Sequence, residues 1–338
     1  MSDPAALPAR TLDSCAACGS VRLKPLPLVY EFRGTFPLVE CDDCGLRFLR
    51  VQPAGEGLAA LYSAGYFESD FRCGRSAVAY ASEDSFRGEN DGLLDEFERL
   101  GPDPDPDPDP DPRSARVPPA RVPPARVALA RVPRARVPRR LLELGSAGGW
   151  LLKRARERGW QVQGVELSAD AAGHARALGL EVFQGDLLAA GLPAESFDLV
   201  YMGDVLEHVP DCHAVLVEAG RLLRTGGHLY LRGPITTNSL ARRLALALYG
   251  ATGRTIVLRE PPYHLWEFTP GPLEHLFASA GLEVVTARQS KIPPGRAHGE
   301  KSALQRLAMG AVDALNLPLT RLLNVAGDRI VMVGRKEP

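Results

Sequence analysis

The sequence predicts an α/β fold, a doubly wound and mostly parallel seven-stranded sheet with a small cysteine-rich ribbon at its N-terminus. Three observations carry this prediction. From Leu141 onward, short apolar runs alternate with stretches of helical period, as in serial βα units. Two C-x-x-C pairs, "CAAC" at 15–18 and "CDDC" at 41–44, fall within the first fifty residues. Between these two regions lies a low-complexity stretch, 102–139. The expected organisation is a zinc ribbon over 1–52, a helical lid or linker over 53–101, an insertion over 102–139, and a Rossmann-like domain over 140–338.

The βα series can be followed strand by strand. "RRLLELG" is a first strand, and "GWLLKRARERG" a helix stopped at Gly159. "WQVQGVEL" is a second strand. Its helix is capped by Ser168, whose hydroxyl can accept an orphan backbone N–H, and carries Asp170 where the helix dipole favours an acid. "LEVFQGD" and "SFDLVYMGD" are the third and fourth strands. "DCHAVLVEAGRLLRTGG" predicts a helix with a glycine stop, followed by a fifth strand in "HLYLRGP". "TPGPLEHLFASAGLEVVTARQ" holds a further helix and a sixth strand, and "RIVMVGRK" a last strand at the sheet edge. Right-handed crossovers between such units build a sheet whose ligands bind beyond the carboxyl ends of the strands.

The insertion opens with "PDPDPDPDPDP", in which every second residue lacks an N–H, so neither helix nor ladder can form there. Five pentapeptides of the type "ARVPP" follow, and the stretch reads as an extended or disordered linker without chemistry. Over the whole chain of 338 residues, 45% are hydrophobic, 24% are charged and the net charge is -1. That balance supports a packed core and gives no global pull toward nucleic acid or anionic membrane. The most apolar late stretch is broken by Arg242, Arg243 and Arg254, and "MSDPAALPAR" has no signal-peptide pattern. A cytoplasmic protein is expected.

In that setting Cys15, Cys18, Cys41 and Cys44 read as a metal site rather than as disulfides. A glycine follows each pair, as in a zinc knuckle that turns backbone N–H groups toward sulfur. Four thiolates close a tetrahedron and make a structural Zn2+ site, which supplies folding energy that about fifty residues cannot draw from a core of their own. Cys73 and Cys212 have no such partner and read as packing residues.

The loop "ELGSAGGW" (143–150) joins the first strand to its helix. Glycines here let a backbone approach a ligand closely. A dinucleotide fingerprint would need glycine at 145, 147 and 150, and the chain has Ala147 and Trp150; a phosphate loop is absent. Glu166 ends the second strand, where an acid can accept ribose hydroxyls, and Asp186 follows the third, placed for an exocyclic amine.

Together, "LLELGSAGG", "VQGVELS", "FQGDL", "FDLVYMGDVLEHVPD" and "LLRTGGHLYLRGP", in order over about 95 residues, resemble the class I S-adenosylmethionine (SAM)-dependent methyltransferases. The resemblance implies SAM as cofactor and S-adenosylhomocysteine as product. It implies cofactor contacts from Glu143, Gly145, Ala147 and Gly149 in the loop, from Glu166 and Leu167 at the ribose, and from Asp186 and Leu187 at the adenine. Met202, Gly203 and Asp204 would run beside the sulfonium. SAM carries no phosphate, so the loop tolerates Ala147 in place of glycine provided its φ is negative. The stretch "CDDCGLRFLRVQPAGEGLAALYSAGYFESDF" resembles a zinc-ribbon subgroup of these enzymes, which makes Tyr62 and Tyr66 candidate lid residues, Tyr66 at the cofactor.

Because SAM carries an activated methyl group, the protein must mainly align the acceptor and take a proton from it. "DVLEHVPD" puts Glu207 and His208 after the fourth strand, and histidine titrates in the range a general base needs. "PPYHLWEFTPGPLEHLF" resembles the family segment in which Tyr263 and His264 face the acceptor, with Trp266 and Phe268 as its apolar wall. The expected function is methyl transfer to a small-molecule or glycan acceptor, foremost at a hydroxyl. Two alternatives stay open: a zinc-module RNA methyltransferase, which six Lys/Arg against six Asp/Glu in residues 1–50 do not favour, and a non-catalytic scaffold binding SAM or a partner protein.

Overall fold

The structure is a computed structural model that describes residues 6–61, 87–101, 138–291, 312 and 316–337. Tyr62, Tyr66, Cys73 and nearly all of the 102–139 insertion lie outside the described residues.

The large sheet contains β6 (Arg140–Leu144), β7 (Gln161–Glu166), β8 (Val182–Gln184), β9 (Phe197–Gly203), β10 (Leu223–Pro234), β13 (Leu282–Ser290) and β14 (Arg329–Lys336). Its strand order is β13-β14-β10-β9-β6-β7-β8. β6, β7, β8, β9 and β10 pair in parallel, and β14 runs antiparallel to both of its neighbours. The seven-stranded, mostly parallel sheet expected from the βα pattern is therefore present. The last strand is not at the edge, however. β14 inserts between β10 and β13, because Ile330, Met332 and Val333 alternate onto both faces and a strand buried on both sides belongs inside a sheet.

The helices cover both faces. α2 (Arg87–Arg99), α3 (Trp150–Glu157) and α4 (Ala169–Ala177) bury Leu94, Phe97, Leu152, Ala172 and Ala175 against one. α2 falls in the segment expected as a lid or linker, yet Phe97 lies fully buried within ring-contact distance of Tyr201 and Tyr230. On the other face, α5 (Cys212–Leu222) and α7 (Pro270–Ser279) bury Leu216, Ala219, Leu273 and Phe277. Ser168 caps α4 as expected, accepting from the Ala171 N–H at 3.3 Å. The glycine stop after α5 does not form: the helix ends at Leu222 and runs directly into β10, and Gly226 (φ 76°) serves the irregular start of that strand.

The N-terminal residues form β1 (Ala9–Thr11), β2 (Leu23–Glu31), β3 (Thr35–Cys41), β4 (Arg47–Leu49), β5 (Val51–Pro53) and α1 (Glu56–Leu61). A second sheet of order β11-β2-β3-β4-β12 takes its outer strands from the far end of the chain, β11 (Ile256–Leu258) after α6 (Leu240–Ala251), and β12 (Trp266–Glu267). One core then runs from Cys15, Val39 and Phe48 through Trp266 to Leu216 and Phe277. The fully buried Gln52 donates to the Leu265 carbonyl (3.3 Å), and Arg10 reaches the Pro210 carbonyl (2.6 Å). The described residues of segment 1–52 thus share sheet and core with those of 140–338 and do not pack as a separate body.

Candidate active site

The loop after β6 is built around buried acid. Glu143, at the end of β6, is 6% exposed; burial, with the Glu166 charge beside it, pushes its carboxyl well above the usual range. Its Oε2 and the Ser146 hydroxyl, both buried, have no hydrogen-bond partner among the described residues. Such groups cost free energy until a ligand meets them. Glu166 takes the Ala147 N–H on Oε2 and the Ser168 N–H on Oε1, both at 2.8 Å. Burial raises the Glu166 carboxyl, and the N–H groups of Ser168, Ala147 and Leu167 oppose that rise.

Two glycines are demanded by space. A Cβ on Gly145 (φ 71°) would stand 2.4 Å from Val205 Cγ2, so glycine lets the loops after β6 and β9 touch. A Cβ on Gly149 (φ 82°) would meet Leu180 and Ala175 within 2.8 Å, a demand set by packing against α4 rather than by a ligand. Ala147 departs from expectation. Its φ is 45°, in the left-handed region, where a side chain costs about 1–2 kcal/mol. That conformation aims its N–H at Glu166. The tolerance argued from a negative φ does not apply, and the strain is held by a charged hydrogen bond.

The other expected cofactor residues distribute along the same carboxyl edge. Leu167 is 58% exposed, Asp186 is exposed and caps the turn after β8 by accepting from the Ala189 N–H (2.9 Å), and Leu187 is buried. Met202 is fully buried in the core, so only its backbone can border a ligand. At Gly203 a Cβ would strike the Tyr201 ring. Asp204 (φ 55°) has its carboxylate engaged by Arg329 of β14, at 2.8 and 2.9 Å, a partner sequence reasoning missed.

Beside this loop the turn Leu206–His208 is tied to residues 263–265. His208 Nδ1 lies 2.9 Å from the Tyr263 carbonyl. A carbonyl only accepts, so Nδ1 carries the proton and Nε2 faces Glu207 Oε1 at 3.5 Å. The Leu265 N–H donates to the Glu207 carbonyl (2.8 Å), and the His208 and His264 rings meet edge to face at 4.9 Å. Glu207, His208 and His264 each bring one oxygen or nitrogen within 4.8 Å of the others, an acid–base cluster drawn from two distant segments. Three expectations are corrected here. The Tyr263 side chain packs on the ribbon cluster of Leu28 and Tyr30, and its carbonyl holds the His208 ring. Trp266 and Phe268 do not wall an acceptor; 1% and 3% exposed, they belong to the main core, with Trp266 Nε1 donating to the Val209 carbonyl. Glu267 between them was passed over, because nothing in a single sequence distinguishes a buried acid from a solvated one.

At the other end of the shared core, the sulfurs of Cys15, Cys18, Cys41 and Cys44 all lie within 4.8 Å of one another. Two of the distances, Cys15–Cys44 at 3.5 Å and Cys18–Cys41 at 3.6 Å, approach the edge of about 3.8 Å for a tetrahedron with metal–sulfur bonds of about 2.3 Å. Gly19 (φ 71°) and Gly45 (φ 74°) make the two knuckle turns. Burial pushes the Cys15 thiol up to about 11 and the Cys44 thiol further, whereas at Cys41 burial is outweighed by hydrogen bonds from the Cys44 backbone and the neighbouring sulfurs, which lower the thiol. A cation would be needed to hold Cys15 and Cys44 as thiolates.

A seven-stranded sheet with one antiparallel strand inserted, and buried acids ending its first two strands, defines a Rossmann-like methyltransferase fold. Comparison with known proteins agrees: the model of the methyltransferase domain family matches residues 119–287, half of the chain, and the protein belongs to that family. Among relatives, it is 33% identical over 154 residues to a ubiquinone biosynthesis O-methyltransferase of Xanthomonas euvesicatoria pv. vesicatoria (strain 85-10), covering 43% of this chain and 63% of the relative. It is 27% identical over 160 residues to the protein of the same name from Cupriavidus pinatubonensis, covering 44% and 62%. The match thus spans less than two thirds of the length of these relatives. A SAM-dependent methyltransferase from Archaeoglobus fulgidus superposes with a TM-score of 0.42 at 16% identity, over 59% of this chain and 86% of that one. Among the described residues no helix is long and apolar enough to cross a membrane.

Proposed function

We propose that this protein transfers a methyl group from SAM to a hydroxyl of a small-molecule or glycan acceptor, and that its four-cysteine centre holds a structural Zn2+. The observation that carries the first part is the buried, unpartnered carboxylate oxygen of Glu143 beside Glu166. These groups fit SAM: Glu143 and the Ser146 hydroxyl would hold the amino-acid end with its ammonium, and Glu166, Leu167, Asp186 and Leu187 the ribose and adenine. When bound, SAM supplies an activated methyl group. The chain's own task is then to orient the acceptor and remove its proton. His208, its Nδ1 proton held by the Tyr263 carbonyl, and His264 beside it are the groups placed to do so, with Glu207 stabilising the imidazolium that forms. Hydroxyl chemistry is favoured by the two relatives named O-methyltransferases. Tyr66 as a lid remains part of this proposal, as does a cytoplasmic location.

Tritium transfer from methyl-labelled SAM into cell extracts, with and without nuclease, tests the reading. Label should enter a small-molecule or glycan fraction and resist nuclease, and His208→Ala with His264→Ala should lower transfer by about 100-fold or more. Nuclease-sensitive label would replace it with the RNA reading, and SAM binding without transfer with the scaffold reading.

A further inference from the structure

Methyl transfer as described gives the buried acid Glu267 no task. Glu267, on β12 between the core aromatics Trp266 and Phe268, is 5% exposed. A carboxylate removed from water stays ionised only where donors and positive charge surround it. The Thr236 hydroxyl donates to Oε2 at 2.7 Å, the Tyr30 hydroxyl of β2 donates to Oε1 at 3.4 Å, and His264 Nδ1 stands 3.9 Å from that same Oε1. Burial pushes the carboxyl up, but His264, Thr236 and Arg242 together hold it below the usual range. Tyr30, raised well above its ordinary value by burial and by Glu267, stays a neutral donor.

We propose that Glu267 is the positioning residue of the acceptor site: its carboxylate, anchored by Tyr30 of the ribbon sheet and Thr236 of the large domain, keeps the His264 proton on Nδ1 and leaves Nε2 to take the proton of the acceptor. The mirrored arrangement holds His208, whose Nδ1 proton is taken by the Tyr263 carbonyl. A carboxylate also favours the imidazolium, and each ring has one nearby: Glu207 Oε1 at 3.5 Å from His208 Nε2, and Glu267 Oε1 at 3.9 Å from His264 Nδ1. Among the described residues, the other charged or titratable groups near His264 include His208, its ring at 4.9 Å, and Glu207, with an oxygen within 4.8 Å of a ring nitrogen, while Arg242 and Glu260 act through Glu267 and Tyr30. The N-terminal ribbon thereby acquires a second task beyond stability, because one of its hydroxyls anchors the group that orients His264.

His264's role as the base rests on the methyl-transfer reading; its tautomer and proton affinity do not, and both can be read without an acceptor. Histidine-labelled, metal-loaded full chain is followed by 15N–1H NMR against pH, with His264 assigned by its loss in His264→Asn. Neutral His264 should carry its proton on Nδ1. Glu267→Gln should weaken its proton binding about tenfold, and Glu267→Asp, which keeps the charge, should stay within about threefold of the parent, with the other histidines unmoved. An Nε2–H tautomer in the parent chain, an unchanged titration in Glu267→Gln, or an equal loss in Glu267→Asp overturns the proposal. Label transfer measured on the same samples is scored separately. A parent chain with the expected tautomer but no transfer defeats the methyl-transfer reading and leaves Glu267 in place.

Discussion

The two larger sheets of this protein are assembled in opposite ways. The seven-stranded sheet draws all its strands from Arg140 to Lys336, and five of them follow one another as βα units. The five-stranded sheet joins three strands near the N-terminus to two that follow α6, with bonds such as Tyr30 to Glu267 closing 237 residues. The first leaves buried polar atoms at its carboxyl edge, on Glu143 and Ser146, that no described residue satisfies. The second satisfies its buried acid internally, with Tyr30, Thr236 and His264 around Glu267. An unsatisfied buried group marks where a ligand binds; a satisfied one marks where a side chain is held still.

The strongest way to break this comparison is to remove the metal proposed for the four cysteines. One Zn2+ per chain is expected by elemental analysis. Stripping it with a chelator, or Cys41→Ser, should cost on the order of several kcal/mol in a single unfolding transition, because the cysteines share a core with α5 and α7. Separate melting of a ribbon, with the large sheet unmoved, would show that the two sheets are energetically independent. Phe48→Ala comes next. It removes the ring 5.6 Å from Trp266 and should destabilise the whole protein by about 3–5 kcal/mol in denaturant unfolding.

Glu143→Gln acts on the unsatisfied side and should weaken SAM binding about 10–100-fold by calorimetry. The sign of its pH dependence follows from the raised carboxyl. The folded chain without SAM binds the Glu143 proton more tightly than the unfolded chain, so stability from this group is present at low pH and is lost as pH rises from about 4.5 through the folded pKa. At neutral pH, Glu143→Gln should therefore raise the melting temperature of the SAM-free protein while lowering its affinity. SAM binding to the parent should release protons where the ammonium meets a protonated Glu143, which calorimetry in buffers of different ionisation heat detects. The smallest effect belongs to Ala147→Gly. Relief of the left-handed strain, offset by glycine's extra freedom when unfolded, leaves a gain of about 0.5–1 kcal/mol with SAM binding retained. A destabilised glycine variant would mean that the turn at 147 is not strained.

Several features were legible because they are local. The glycine at 145, the acids at 143 and 166 and the Ser168 cap sit at fixed offsets from strand ends, and a period-2 strand feeding a helix puts them on one edge of a sheet. The cysteine pairs announce themselves by spacing. What escaped was non-local or conformational. Tyr263 reads as facing the acceptor and Trp266 and Phe268 as its apolar wall, but β12 pairs with β4, so Trp266 and Phe268 turn into the core and Glu267 turns toward His264. The edge position assigned to β14 failed for a similar reason, since strand order depends on which neighbours bury both faces.

By itself, then, the sequence determined the α/β class, the acid-bearing carboxyl edge of the large sheet and the clustering of the four cysteines, because each depends on residue types at short, fixed spacing. Only the tertiary structure decided that the ribbon shares a core with the large domain, that Ala147 turns left-handed to reach Glu166, and that a buried carboxylate stands behind His264. Those outcomes depend on which distant surfaces exclude water together, and chain spacing carries no record of that.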